Sequence, residues 1–158
     1  AAKFPPTGNR SVGGGSGAMN FAAEVGDYRM QANDEILVVL QTESPTGIAN
    51  AEEIYSLRGC DAIFIGPNDL RFQMREEDGT FPTPEAHEAA IQEVIEIGKK
   101  TNCPTGIHAM DPVSAVQRAE QGMQFIAVES DLKFLTSQAT AALKIVYPDH
   151  DAGDVVRY

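Results

Sequence analysis

Basic residues are scarce in this sequence. Only 12 lysines and arginines face 23 aspartates and glutamates, a net charge of −11. Nucleic acid and anionic membranes both need basic surface, so neither is expected as a partner. An anionic substrate would need a metal or local donors to offset the field. Cysteine is scarcer still. Cys60 and Cys103 stand far apart with no CxxC spacing. No disulfide framework is expected, and both read as reduced residues in or near the core. No apolar run approaches the roughly 18 residues of a membrane span. No signal peptide opens the chain, so the expected location is the cytoplasm. The sequence starts on Ala-Ala-Lys-Phe-Pro-Pro without Met, as a processed protein or a fragment would.

What remains is ordinary for a globular chain. At 42% hydrophobic and 22% charged, 158 residues can bury a real core and form one domain. Residues 1–34 form a loop-rich opening segment, with Pro, Gly and Ser crowded into 5–17 and a short helix expected at 27–33. A repeating rhythm follows over residues 35–147. Residues 36–40 (ILVVL) form an apolar run suited to a strand buried on both faces. An amphipathic stretch covers 48–57. Ala62–Ile65 is a second strand, ended by Gly66-Pro67, with a polar loop expected over 70–83. A helix is expected over Pro84–Thr101, with Thr83 as N-cap and Pro84 at its first position. Thr105–Ala109 is a third strand. Asp111 caps a helix whose Val113, Val116 and Ala119 should face inward. Phe125–Val128 is a fourth strand, and a last helix runs from Asp131 to Val146. The tail, 148–158, is expected to be extended or docked on a neighbour.

Strand and helix thus alternate four times, which means βαβ units and a parallel sheet. Four such units make either a small doubly wound domain or half of an eight-fold barrel. Both place function at the C-terminal ends of the strands.

Those ends carry Gln41, Thr42 and Glu43; Gly66, Pro67, Asn68 and Asp69; His108 and Asp111; and Glu129, Ser130 and Asp131. Glu43 and Asp69 are hard oxygen ligands on neighbouring strands and suit Mg²⁺ or Mn²⁺. Position alone leaves a plainer role open: a solvated Glu at a strand end, and an Asp capping a turn after Gly-Pro. No His/Cys cluster offers a zinc site. The GGGSGA run at 13–18 follows a Pro-rich loop instead of a strand, so it is not taken as a dinucleotide site. Neither a P-loop nor a G-x-S-x-G elbow is present. His108 could contact substrate, move a proton or simply be a satisfied buried histidine. His87 and His150 read as surface residues. No lysine falls on an expected strand, so imine chemistry has no candidate nucleophile here.

The runs KFPPTGNRSVGG, VVLQTES and DAIFIGPNDL resemble the metal-dependent 2-oxo acid aldolases. That family is typified by 4-hydroxy-2-oxoheptanedioate and 2-dehydro-3-deoxyglucarate aldolases, of the phosphoenolpyruvate/pyruvate barrel superfamily. The resemblance covers essentially the whole chain but only the C-terminal part of the family's length. It implies α/β architecture, with residues 1–158 forming a single partial domain, the C-terminal half of a (β/α)₈ TIM barrel. It implies Glu43 and Asp69 as ligands of Mg²⁺ or another divalent cation. Gln41, Gly66, Pro67, Asn68 and His108 are the expected substrate-binding residues. The substrate would be a small 2-oxo acid, a 4-hydroxy-2-oxo acid or oxaloacetate, reacting through a pyruvate enolate. The family also implies homo-oligomers, commonly hexamers, with the last helix on a neighbouring subunit. Its catalytic Arg and His come from strands not in this sequence, so no residue here takes those roles. Arg10 belongs to a structural signature. His108 and Glu129 depart from the family's pattern and bear on the acceptor side. Two alternatives stand beside the aldolase. One is a macrophomate-synthase-like enzyme that decarboxylates oxaloacetate and traps the enolate with a 2-pyrone. The other, of a different class, is an inactive fragment serving as an assembly module.

Overall fold

The computed structural model describes residues 1–148. The expected tail, Pro148 excepted, and His150 lie outside the described residues.

The opening segment is more ordered than its composition suggests. A short helix, α1 (Ser16–Asn20), forms inside the glycine-rich stretch, and α2 (Val25–Glu35) extends beyond the expected 27–33. Side chains anchor the segment. Asn33 exchanges two hydrogen bonds with the backbone of Phe4, and Lys3 Nζ donates to the carbonyls of Asn33 and Ile36. Arg10 lies over the Phe4 ring, 4.6 Å from its centroid, and donates to the Tyr28 hydroxyl. The packing role expected of Arg10 is therefore visible.

Four strands follow: β1 (Val39–Thr42), β2 (Ala62–Ile65), β3 (Thr105–Ala109) and β4 (Phe125–Val128). They form one parallel sheet in the order β1-β2-β3-β4. Helices separate them: α3 (Pro45–Ala49) and α4 (Ala51–Tyr55), then α5 (Pro67–Gln73) and α6 (Pro84–Thr101), then α7 (Pro112–Glu120). The last helix, α8 (Asp131–Val146), follows β4. This is a partial (β/α) barrel.

Caps mark the helix starts where the sequence places them. Thr83 accepts from Ala86 N–H, Asp111 from Ser114 N–H and Ser130 from Lys133 N–H. Each satisfies an amide that the helix itself cannot pair. The core lies between sheet and helices. Ile63, Ile65 and Ile107 point outward from the sheet onto Tyr55, Leu70, Ile91, Val94 and Ile95, all buried, with Leu40 and Ile126 completing the layer.

Three expectations need correction. The first strand begins at Val39, not Ile36. Ile36 caps α2, Leu37 is exposed, and Val38 N–H is taken by the Asp61 carboxylate before pairing starts. The polar loop expected from 70 contains the end of α5. Gly66 and Pro67, read as strand terminators, are its N-cap and first residue, and the fully buried Leu70 pins it to the core. Val113, Val116 and Ala119 do not face inward on α7 but are exposed. The inner side carries Arg118 instead, drawn to α6 by two bonds to the Glu88 carboxylate at 2.6 and 2.7 Å. As expected, β4 spans Phe125–Val128; among the described residues it is the edge strand beside β3, with Phe125 and Val128 exposed.

Candidate active site at the mouth of the partial barrel

The pleat decides which side chains share a face. Register pairs Gln41 with Phe64, Phe64 with Gly106 and Gly106 with Phe125. These four form one row on the inner face, opposite the helix-facing Leu40, Ile63, Ile107 and Ile126. Gly106 is a spacing device. A Cβ there would collide with the Phe125 backbone carbonyl. Without one, the rings of Phe64 and Phe125 meet edge to face across it at 5.5 Å. They floor the mouth.

One pleat step further on, toward the strands' C-terminal ends, come Glu43, Gly66 and His108. Gln41 Nε2 donates to Glu43 Oε2 at 2.7 Å, so the amide holds the carboxylate in place. That pair folds over Gly66. A Cβ on Gly66 would sit 2.6 Å from Glu43 Oε2 and 2.9 Å from Gln41 Nε2. The bare glycine is therefore the seat of the Gln41–Glu43 pair. Thr42, between them in sequence, points the other way. Its buried hydroxyl accepts from Tyr55 at 3.0 Å and ties the strand to α4. Burial pushes the Tyr55 phenol up to about 12, the Thr42 bond opposing, so it remains a donor.

Asp69 stands in the first turn of α5, directly after Gly66-Pro67. Its side chain is exposed and makes no hydrogen bond or ion pair among the described residues. Asn68 is exposed beside it. The turn itself is held from behind: His87 Nε2 meets the Pro67 carbonyl at 2.9 Å. A carbonyl only accepts, so His87 donates. His87 is thus half-buried and structural, not the surface residue expected. It sits one helical turn past the Thr83 cap, and that position was the only sequence signal for it.

His108 reaches across to β4, and its Nε2 lies 2.8 Å from the carbonyl of Glu129. The same logic puts a proton on Nε2, which donates to that carbonyl. Glu129 adopts a left-handed φ of 51°, which turns its carbonyl toward β3. Asp111 caps α7 and belongs to that helix, not to the mouth.

Among the described residues, no group of three or more His, Cys, Asp or Glu could hold a metal. An all-protein cage is absent there. The arrangement instead offers a carboxylate oriented by Gln41 and a second carboxylate one turn past the adjacent strand. Magnesium is commonly held in this way, by one or two carboxylates with water and substrate completing the shell. The donor types, two carboxylates, are those such an ion takes.

A parallel sheet with helices on its outer face and carboxylates just past its strands' C-terminal ends is the architecture of a partial (β/α) barrel. Residues 1–138 match the model of the HpcH/HpaI aldolase/citrate lyase family, and the chain belongs to that family. It is 37% identical over 144 residues to a hydroxypyruvate/pyruvate aldolase of Sagittula stellata, covering 89% of this chain and 54% of the relative. Other matched relatives are aldolases whose names differ in the substrate. The chain spans about half the length of these curated relatives. Among solved structures, a family protein of Burkholderia cenocepacia superposes with a TM-score of 0.78 at 33% identity, over 92% of this chain and 57% of that one. Macrophomate synthase shares the fold, with a TM-score of 0.62 at 20% identity over 92% of this chain and 54% of its own. Among the described residues, no helix is long and apolar enough to cross a membrane.

Proposed function

We propose that this chain supplies the metal-binding half of a divalent-metal-dependent C–C lyase acting on a small 2-oxo acid. The observation that carries this is the Gln41–Glu43 pair seated on Gly66, with Asp69 following on the next strand's turn. Glu43 and Asp69 would hold Mg²⁺ or Mn²⁺. A cation there supplies Lewis acidity, stabilising the enolate charge that develops when the bond next to the keto group breaks. Gln41 fixes the Glu43 carboxylate. Gly66 leaves room for that carboxylate and for a ligand above it. The first-turn amides of Asn68 and Asp69 have no intrahelical acceptor and are placed to receive a substrate carboxylate. His108 would contact the substrate on the acceptor side. Relatives that are aldolases for several 2-oxo acids support this class over a pyrone-trapping enzyme, whose fold alone is shared. The exposed apolar residues of α8, among them Leu132, Leu135 and Ile145, suit packing on a neighbouring subunit and equally on the rest of a barrel.

The test is a Mn²⁺ titration of the chain, alongside pyruvate release from oxaloacetate with and without EDTA. Glu43→Gln and Asp69→Asn should each abolish Mn²⁺ binding and any EDTA-sensitive turnover. Binding that survives both substitutions overturns the assignment.

A further inference from the structure

Cys60 and Cys103 are 43 positions apart in sequence, yet their sulfurs lie 3.9 Å apart. Both are free thiols. They occupy the opposite end of the sheet from Glu43, just before β2 and β3. The backbone there is already fixed. Ile63 N–H donates to the Pro104 carbonyl at 2.9 Å, and Ile63 pairs with Thr105. Little holds the thiols where they are. Apart from each other, their partners are carbonyls at 3.8 Å for Cys60 and 4.0 Å for Cys103, the limit of a weak S–H contact. Forming the roughly 2.05 Å bond of a disulfide brings the two sulfurs closer by about 1.9 Å. Cys103 also borders an open pocket of about 380 Å³ together with Lys99, Asn102 and Gly122.

We infer that Cys60 and Cys103 form a modification site, a dithiol at the foot of the partial barrel that small disulfides oxidise to an intramolecular bond. The two thiols have separate roles. Cys60 is half-buried and Cys103 almost fully buried. Burial also pushes the Cys103 thiol up to about 11, with the Cys60 sulfur adding to the effect, so little of it is thiolate. Cys60 therefore meets the oxidant first. Its thiolate attacks one sulfur of oxidised glutathione. The S–S bond of the oxidant breaks, and one glutathione leaves and takes up a proton. Cys103 then loses its proton to solvent and attacks the Cys60 sulfur. The mixed disulfide breaks and the second glutathione leaves. The protein loses two electrons and two protons, and the oxidant gains them. This site is independent of the metal-binding proposal and stands or falls without it.

The test uses the full chain incubated with oxidised glutathione under native conditions. Thiols are then titrated in denaturant, with intact mass and peptide mapping. The expected result is loss of both thiols, a mass lower by two hydrogen atoms, no retained glutathione and a Cys60–Cys103 cross-linked peptide. Dithiothreitol should restore both thiols. Cys103→Ser should stop at one glutathione on Cys60, and Cys60→Ser should take up none. A wild-type chain that retains glutathione on Cys60, links to a second chain or keeps both thiols overturns the inference.

Discussion

Gly66→Ala separates the site from the fold better than any other single change. Gly66 has φ −89° and ψ 91°, which alanine adopts without backbone strain. The conflict lies entirely in what the new methyl meets. To reach ordinary contact, Glu43 Oε2 must retreat by about 0.8 Å and Gln41 Nε2 by about 0.5 Å. Both are ends of flexible side chains, so the fold need not yield. Alanine also restricts the unfolded chain, which is worth about 0.4–1 kcal/mol in favour of folding. Net stability should therefore stay within ~1 kcal/mol of the parent. The metal site has no such slack. Displacing the oriented carboxylate and its Gln41 partner should weaken Mn²⁺ binding by about 10–100-fold, the usual cost of disturbing such a support. That corresponds to roughly 1.4–2.7 kcal/mol. Isothermal titration calorimetry with Mn²⁺ reads the affinity, and urea unfolding reads the stability. An affinity within about twofold of the parent, in a folded variant, would refute the seat assigned to Gly66.

Two further outcomes concern the scaffold. Tyr55→Phe should cost about 1–2 kcal/mol in urea unfolding, because it leaves the Thr42 hydroxyl buried without its donor. Adding Thr42→Val should recover most of that loss, and a purely additive double variant would count against the pair. Glu88 is held at about 2, first by its bond to Arg118. A depressed carboxyl stabilises above its ordinary value near 4.5, and that share disappears as pH falls through about 2. Glu88→Gln should therefore flatten the acid limb of the urea midpoint between those values. The effect is reduced by screening, since the Glu88 side chain is 39% exposed. An unchanged limb would assign the acid sensitivity elsewhere.

Local signals made much of this structure legible from the sequence alone. Thr83-Pro84 and Asp111-Pro112 are cap-and-start pairs that act within one turn, so the starts of α6 and α7 were readable. Ala62–Ile65 is an apolar run closed by Gly66-Pro67, and both it and the short Thr105–Ala109 segment are strands with those bounds. The failures came where a distant partner decides. Val38 is as apolar as Val39, but the Asp61 carboxylate claims its N–H and sets where β1 begins. Nothing local shows that Arg118 will turn α7 toward Glu88, 30 residues away. The same holds for the site. Motif and position single out Glu43, Asp69 and Gln41. The seat formed by Gly66, the His87 bond to Pro67 and the His108 bond to Glu129 need three-dimensional neighbours before they can be seen.

In this sheet, spatial order and chain order coincide, each strand lying beside its sequence neighbour. Every added unit therefore repeats one local step: a strand laid on the edge, then a helix returned over the outer face. Such a sheet can grow from either edge without threading any segment through another. Neither β1 nor β4 has to be displaced to receive a further strand. Among the described residues these two edges are thus points of extension, and the same architecture can be assembled from pieces, duplicated or recombined at its strand boundaries.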